Sequence, residues 1–141
     1  MLNAEQPSPE EPLRVSILTQ GSCLIASVHT ALDDSQLHRF RDDLLEFIGR
    51  NRSRGVIIDV GALDLIDSFA CHTLRTIAQV ARLRGAETVV VGIRPDVAFT
   101  MVRLGAALDS MTTALDLEEG LAWLVNASDT ANPLPGLPGL R

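Results

Sequence analysis

Between residues 13 and 126 the apolar positions recur with two different periods. Leu13 to Thr19 and Ser22 to His29 are short β-rich runs split at Gln20-Gly21, where glycine supplies the turn, so a β-hairpin is predicted. Leu37, Phe40, Leu44, Leu45 and Ile48 then follow at helical spacing behind the capping candidates Asp33-Asp34-Ser35, and this helix is expected to end between Gly49 and Ser53. Gly55-Val-Ile-Ile-Asp-Val60 is almost continuously apolar, the pattern of a strand covered on both faces. A second helix is predicted from Ser68 to a C-terminal Gly85, with Ala70, Leu74, Ile77, Ala78 and Ala81 inward and His72, Arg75, Gln79 and Arg82 outward. Glu87 to Gly92 reads as another buried strand. Pro95 and Asp96 suit the start of a third helix, with Val97, Ala98, Met101, Val102 and Leu104 as its apolar residues and Gly105 at its end.

A short edge strand is predicted within Leu108–Thr113. Asp116-Leu-Glu-Glu119 has the spacing of a capping box and opens a last helix bearing Leu121, Leu124 and Val125, with Trp123 on another face. The order is therefore β-β-α-β-α-β-α-β-α, an α/β fold with a mixed, mostly parallel sheet of four to five strands and four helices. Residues 1–12 contain Pro7, Pro9 and Pro12, and residues 127–141 end in Asn-Pro-Leu-Pro-Gly-Leu-Pro-Gly-Leu-Arg. Both are expected to be disordered, leaving 13–126 as the domain.

The chemistry concentrates in Asp64-Leu-Ile-Asp-Ser-Phe-Ala70, between the apolar strand and the second helix. Ser68 is expected at the helix N-cap, where its oxygen can accept from an orphan backbone N–H. A phosphate there would also meet the positive end of the helix dipole. Taken by itself the position favours a serine that only caps the helix, a common role of Ser, over a serine that is a phosphorylation switch.

Composition narrows the choice. The 141 residues suit one domain; 46% are hydrophobic and only 4% aromatic, so the core must be aliphatic. The net charge is −6 and all twelve basic residues are Arg, an acidic balance that argues against nucleic acid as a partner. Lacking lysine, the chain has no Schiff-base or P-loop chemistry. Cys23 and Cys71 form no CxxC pair and are expected to be buried, reduced thiols, with no metal. No apolar run approaches the ~20 residues of a membrane span and no signal-peptide pattern opens the chain, so a soluble cytoplasmic protein is expected.

Asp59, Asp64 and Asp67 could suggest a metal site or a phosphoacceptor aspartate, but a receiver-type domain would need a distal lysine. A serine hydrolase would need a GxSxG elbow, and Ser68 is flanked by Asp67 and Phe69 instead. His29, His38 and His72 have no spacing that makes one a base, and no glycine-rich phosphate loop is present. No enzymatic activity and no cofactor are expected.

Four segments carry a family resemblance: Ala31-Leu-Asp-Asp34; Gly55-Val-Ile-Ile-Asp59 with Ile66-Asp-Ser-Phe69; Gly92-Ile-Arg-Pro-Asp-Val-Ala98; and Thr113-Ala-Leu-Asp-Leu-Glu-Glu-Gly-Leu121. Across roughly residues 13–125 the chain resembles the STAS domain of anti-anti-sigma proteins, and more closely the stressosome scaffold proteins of the RsbS type. The resemblance implies that Ser68 is phosphorylated by a captive serine kinase, that phosphorylation releases the kinase, and that a PP2C-type phosphatase resets the site. It also implies homo- and hetero-oligomers with STAS paralogues that carry N-terminal sensory domains. The dozen residues ahead of the first strand leave no room for such a domain, which favours the small scaffold subunit. Asp64, Asp67, Phe69 and His72 are the expected partner-binding residues around the switch. A free-standing anti-anti-sigma factor, working by partner switching, is the alternative.

Overall fold

The computed structural model describes residues 14–105 and 111–131. The first strand and its return, β1 (Val15–Gln20) and β2 (Cys23–Val28), form the expected hairpin around Gly21, whose φ of 61° is the left-handed conformation the turn requires. The chain then alternates: α1 (Asp34–Asn51), β3 (Gly55–Asp59), α2 (Ser68–Leu83), β4 (Glu87–Val91), α3 (Pro95–Arg103), β5 (Thr112–Ala114) and α4 (Leu117–Ala131). The five strands lie in the sheet in chain order, β1-β2-β3-β4-β5, antiparallel at β1–β2 and parallel thereafter.

Because every crossover steps to the next strand in the same direction, α1, α2 and α3 fall on one face. Their Phe40, Leu44, Ile48, Leu74, Ile77 and Met101 pack with Leu24, Val56, Ile58 and Val90 of the sheet. Among the described residues the other face is covered by α4, through a smaller cluster of Ile25, Ile57, Val89, Val91 and Leu124. Two glycines let α4 approach closely. A Cβ on Gly55 of β3 would lie 2.8 Å from Leu124 Cδ1, and one on Gly120 of α4 would lie 2.9 Å from Val91 Cγ1.

The helix starts follow their caps. Asp33 accepts from the Gln36 N–H while the Gln36 side chain accepts from the Asp33 N–H, a full capping box. At α4 the Asp116 carboxylate accepts from the Glu119 N–H at 2.9 Å, but the Glu119 carboxylate reaches back to Leu115 rather than Asp116, at 2.7 Å.

Of the apolar residues of α3, Val97 and Met101 are buried while Val102 is 77% exposed and Leu104, at the C-cap, 43% exposed, because a nine-residue helix at the sheet margin has one narrow inner face. Two expectations are corrected. In α4 Trp123 packs against the second cluster while Val125 is 59% exposed, the reverse of their expected orientations. This helix also continues to Ala131 rather than stopping at 126, since no glycine or proline falls between Asn126 and Pro133. The arm 1–12 and the tail from 132 onward, both expected to be disordered, lie outside the described residues, as do positions 108–110 of the expected edge strand; β5 itself begins at Thr112.

One buried group is a liability. The hydroxyl of Thr88, 1% exposed in β4 opposite Val56, has no hydrogen-bond partner among the described residues. Thr88→Val keeps the shape and removes the stranded polar atom, so it is expected to stabilise the fold by about 1 kcal/mol. Thermal denaturation would read this as a higher Tm; an unchanged or lower Tm would mean the hydroxyl is satisfied in solution.

Candidate functional site

The loop between β3 and α2 leaves the sheet beside β4. The Val60 N–H donates to the Val91 carbonyl at 3.0 Å, which carries the parallel pairing one residue beyond β3. Asp59, half-buried at the end of β3, turns its carboxylate onto this loop and accepts from the Gly61 N–H at 2.9 Å. It therefore serves as a brace for the loop. Leu63 and Ile66 are buried anchors, whereas Leu65 between them is 73% exposed.

The start of α2 differs from expectation in one respect. Asp67, not Ser68, is the N-cap: its backbone is extended, with φ −109° and ψ 176°, and its Oδ1 accepts from the Ala70 N–H at 2.8 Å. Ser68 is the first helical residue and is exposed. Of two adjacent capping candidates, the carboxylate also interacts favourably with the helix dipole, which a neutral hydroxyl cannot match. Ser68 is thus left without the capping duty. Asp67→Ala is expected to cost about 0.5–2 kcal/mol of stability, measurable by chemical denaturation. A smaller loss would mean that Ser68 can take over as cap.

The other predicted site residues gather on the same helix end. Asp64 is exposed in the loop, and His72 is exposed one turn after Ser68, its Nδ1 3.2 Å from the Arg75 guanidinium. Phe69 is different: it is half-buried, its ring meeting His38 of α1 edge-on at 5.2 Å between centroids. It ties α2 to α1, and only part of its surface is open to a partner. Cys71 is buried in the first turn of α2, and Cys23 is half-buried at the start of β2. Burial pushes the Cys71 thiol above its ordinary range, the Asp67 charge adds to this and Arg75 opposes it. The Cys23 thiol is also raised by burial. Neither thiol is poised as a nucleophile. Among the described residues, no three His, Cys, Asp or Glu side chains come together as a metal site, and no helix is long and apolar enough to cross a membrane.

Beside the helix start lies an apolar groove of about 320 Å³ between the N-terminal end of α1 and the loop. Leu32, Leu37 and Phe40 form one wall, and Leu63, Leu65 and Ile66 the other; Asp67 is its one charged lining residue. The sequence analysis did not identify this groove. Its only trace in the sequence is the pair Leu65-Ile66 between two aspartates, of which a turn can bury one and must expose the other.

A five-stranded mixed sheet with three described helices on one face and one on the other defines an α/β fold, and an exposed serine opens its second helix. The family is explicit in the sequence: residues 14–120 match the STAS domain, and the chain belongs to that family. Among curated proteins it is similar to the RsbT co-antagonist protein RsbRA of Bacillus subtilis (strain 168), 30% identical over 98 residues that cover 70% of this chain but 36% of RsbRA. The chain thus spans about a third of the length of that relative. Among solved structures it resembles RsbS of Moorella thermoacetica, determined as a serine-to-glutamate variant, at 35% identity and a TM-score of 0.73, covering 82% of this chain and 98% of that one. A chain from the structure titled "Molecular architecture of the stressosome, a signal integration and transduction hub" aligns at 31% identity and a TM-score of 0.67, covering 81% and 99%. The predicted fold class and the RsbS-type resemblance are both borne out.

Proposed function

We propose that this chain is the phosphorylatable scaffold subunit of a stressosome, which holds a serine kinase and releases it when Ser68 is phosphorylated. The observation that carries this reading is the placement of Ser68. It is exposed, it opens a sixteen-residue helix, and the adjacent Asp67 has taken the capping role, so its hydroxyl can be modified without removing the cap. A phosphoserine brings about −1.5 to −2 charges and three acceptor oxygens, and a helix N-terminus accommodates them favourably. Asp64, Asp67 and His72, with the exposed part of Phe69, form the surface that a bound kinase would contact. Similarity to RsbS over almost all of that protein's resolved chain supports the scaffold role over that of a free-standing anti-anti-sigma factor.

In this reading the protein is not an enzyme, works in the cytoplasm, needs no cofactor, and co-assembles with STAS paralogues that bear sensory domains. A PP2C-type phosphatase removes the phosphate. The test is assembly and release. Size-exclusion chromatography with light scattering should find the chain in a large complex with its sensor paralogue and the kinase, and kinase with ATP should modify Ser68 and free itself. A chain that stays small when mixed with the paralogue, yet binds the kinase, would favour the anti-anti-sigma alternative.

A further inference from the structure

We propose that the outer side of α3 is a two-fold interface with a second copy of this chain, in which the two α3 helices pack antiparallel through Pro95, Phe99 and Val102. The contact uses none of the residues assigned above to the kinase and does not depend on that reading.

Helix α3 has two apolar sides. Val97 and Met101, four residues apart, are buried against the sheet. Pro95, Phe99 and Val102, spaced i, i+4, i+7, form a second stripe on the opposite side. This stripe is open: Phe99 is 68% and Val102 77% exposed, and Pro95 is exposed as well. A helix docks on its own domain through one apolar side. A second, carrying the most exposed of the four phenylalanines, is the kind of patch that another protein molecule covers.

The charges of the same segment select that molecule. From Arg94 to Gly105 the charged residues are Arg94, Asp96 and Arg103. Asp96 and Arg103 are about two turns apart and lie on one flank of the stripe, whereas Arg94 is about 200° round the helix from Asp96. Asp96 and Arg103 are both exposed, and neither has an ion-pair partner among the described residues. Asp96 Oδ1 accepts from the Val97 N–H at 3.0 Å, which leaves its second oxygen open. The stripe 95–102 and the charge pair 96–103 are both centred within one residue of Phe99. A two-fold axis at Phe99, perpendicular to α3, therefore sets Pro95 against Val102, Phe99 against Phe99 and Asp96 against Arg103, with the unlike pairings made twice. A parallel pair would instead oppose Asp96 to Asp96 and Arg103 to Arg103. A uniformly basic or acidic partner would satisfy only one of the two charges, and a second copy satisfies both. Two nine-residue helices fall short of the ~1,200 Å² that a stable interface buries, so the pair is weak on its own and gains strength where many copies are held together.

The test is sedimentation velocity on the full chain alone, across a concentration series. A monomer–dimer equilibrium is expected. Phe99→Asp should weaken dimerisation at least about tenfold, a change of about 1.4 kcal/mol. Phe99→Leu should stay close to the parent. Because Phe99 is exposed, circular dichroism should show the same fold for both variants. Arg103→Glu and Asp96→Arg should each weaken the dimer severalfold, since each sets like charges together at two contacts. The double swap Asp96→Arg, Arg103→Glu in one chain restores opposite charges at both contacts and should recover the parent affinity. It also puts each charge at the unfavourable end of the helix dipole, so the recovery cannot come from a firmer helix. A parent that stays monomeric at every concentration overturns the proposal. So does parent-like dimerisation by Phe99→Asp, or a double swap that associates no more tightly than the single variants.

Discussion

Kinase affinity is expected to fall at least about tenfold when Ser68 is phosphorylated, with the fold itself left intact. The effect belongs to the interface. A bound kinase must cover a surface already bearing Asp64 and Asp67, and phosphorylation adds about −1.5 to −2 charges at the residue next to Asp67. Covering the phosphate strips it of water beside Asp67, a desolvation penalty that can reach several kcal/mol, whereas about 1.4 kcal/mol is already tenfold. Within the isolated domain the helix dipole favours the phosphate, and the cap at Asp67 persists. Ser68→Ala should therefore leave stability within about 0.5 kcal/mol, as expected for an exposed position with no capping bond to lose. In cells it should hold the kinase permanently and silence the pathway. Ser68→Asp should release it only in part, since one carboxylate has less charge and fewer acceptor oxygens than a phosphate. Titrating kinase against the unmodified and phosphorylated forms, each with the sensor paralogue, decides the matter. Equal affinities would reduce Ser68 to an ordinary first-turn residue.

Gly92→Val should be the most damaging single change outside the aliphatic core. Gly92 follows β4 with φ +80°, a conformation that a β-branched residue adopts only under strain. There is also little room. A Cβ would stand 3.0 Å from Asp59 Oδ1 and 3.1 Å from both the nitrogen and the Cα of Gly61, which are the atoms that brace the start of the β3–α2 loop. Strain and overpacking together should cost about 2–4 kcal/mol. The local consequence is separable from the global one. Pushing Gly61 away breaks the Asp59 brace, so the loop bearing Asp64 and leading to Ser68 should lose amide protection even at temperatures where the domain stays folded. Urea denaturation reads the first effect and hydrogen exchange the second. Gly92→Val with parent stability and a fully protected loop would refute the bracing role.

The architecture was legible because its signals were redundant. Caps, glycine stops and a change of apolar period all mark the same boundaries, as at Asp33, Gly85 and Gly55-Val-Ile-Ile. The fine assignments failed where two residues of similar chemistry competed for one position. Asp67 and Ser68 can both cap a helix, and only the geometry of the incoming loop shows which carries the extended backbone. Trp123 and Val125 both suit an inner face, and the choice depends on how closely Gly55 and Gly120 let the helix sit on the sheet. The groove was invisible for a different reason. Its walls come from segments about thirty residues apart in the chain, and no local pattern records that Leu32 and Leu65 line the same space.

The strand order has a consequence for how the protein is made. Each strand after β1 pairs with the strand immediately before it in the chain, so each finds a partner that has already been synthesised. Hairpin, crossover, crossover, crossover is also the order in which the segments leave the ribosome. Loop closure is paid in several modest instalments rather than one long one, which favours quick folding. The helix that covers the second face comes last. Until α4 arrives, Ile57, Val89 and Val91 remain open to water on that face. A nascent chain stalled before residue 117 would expose a bare apolar sheet, the form in which chaperone capture or aggregation becomes the main risk.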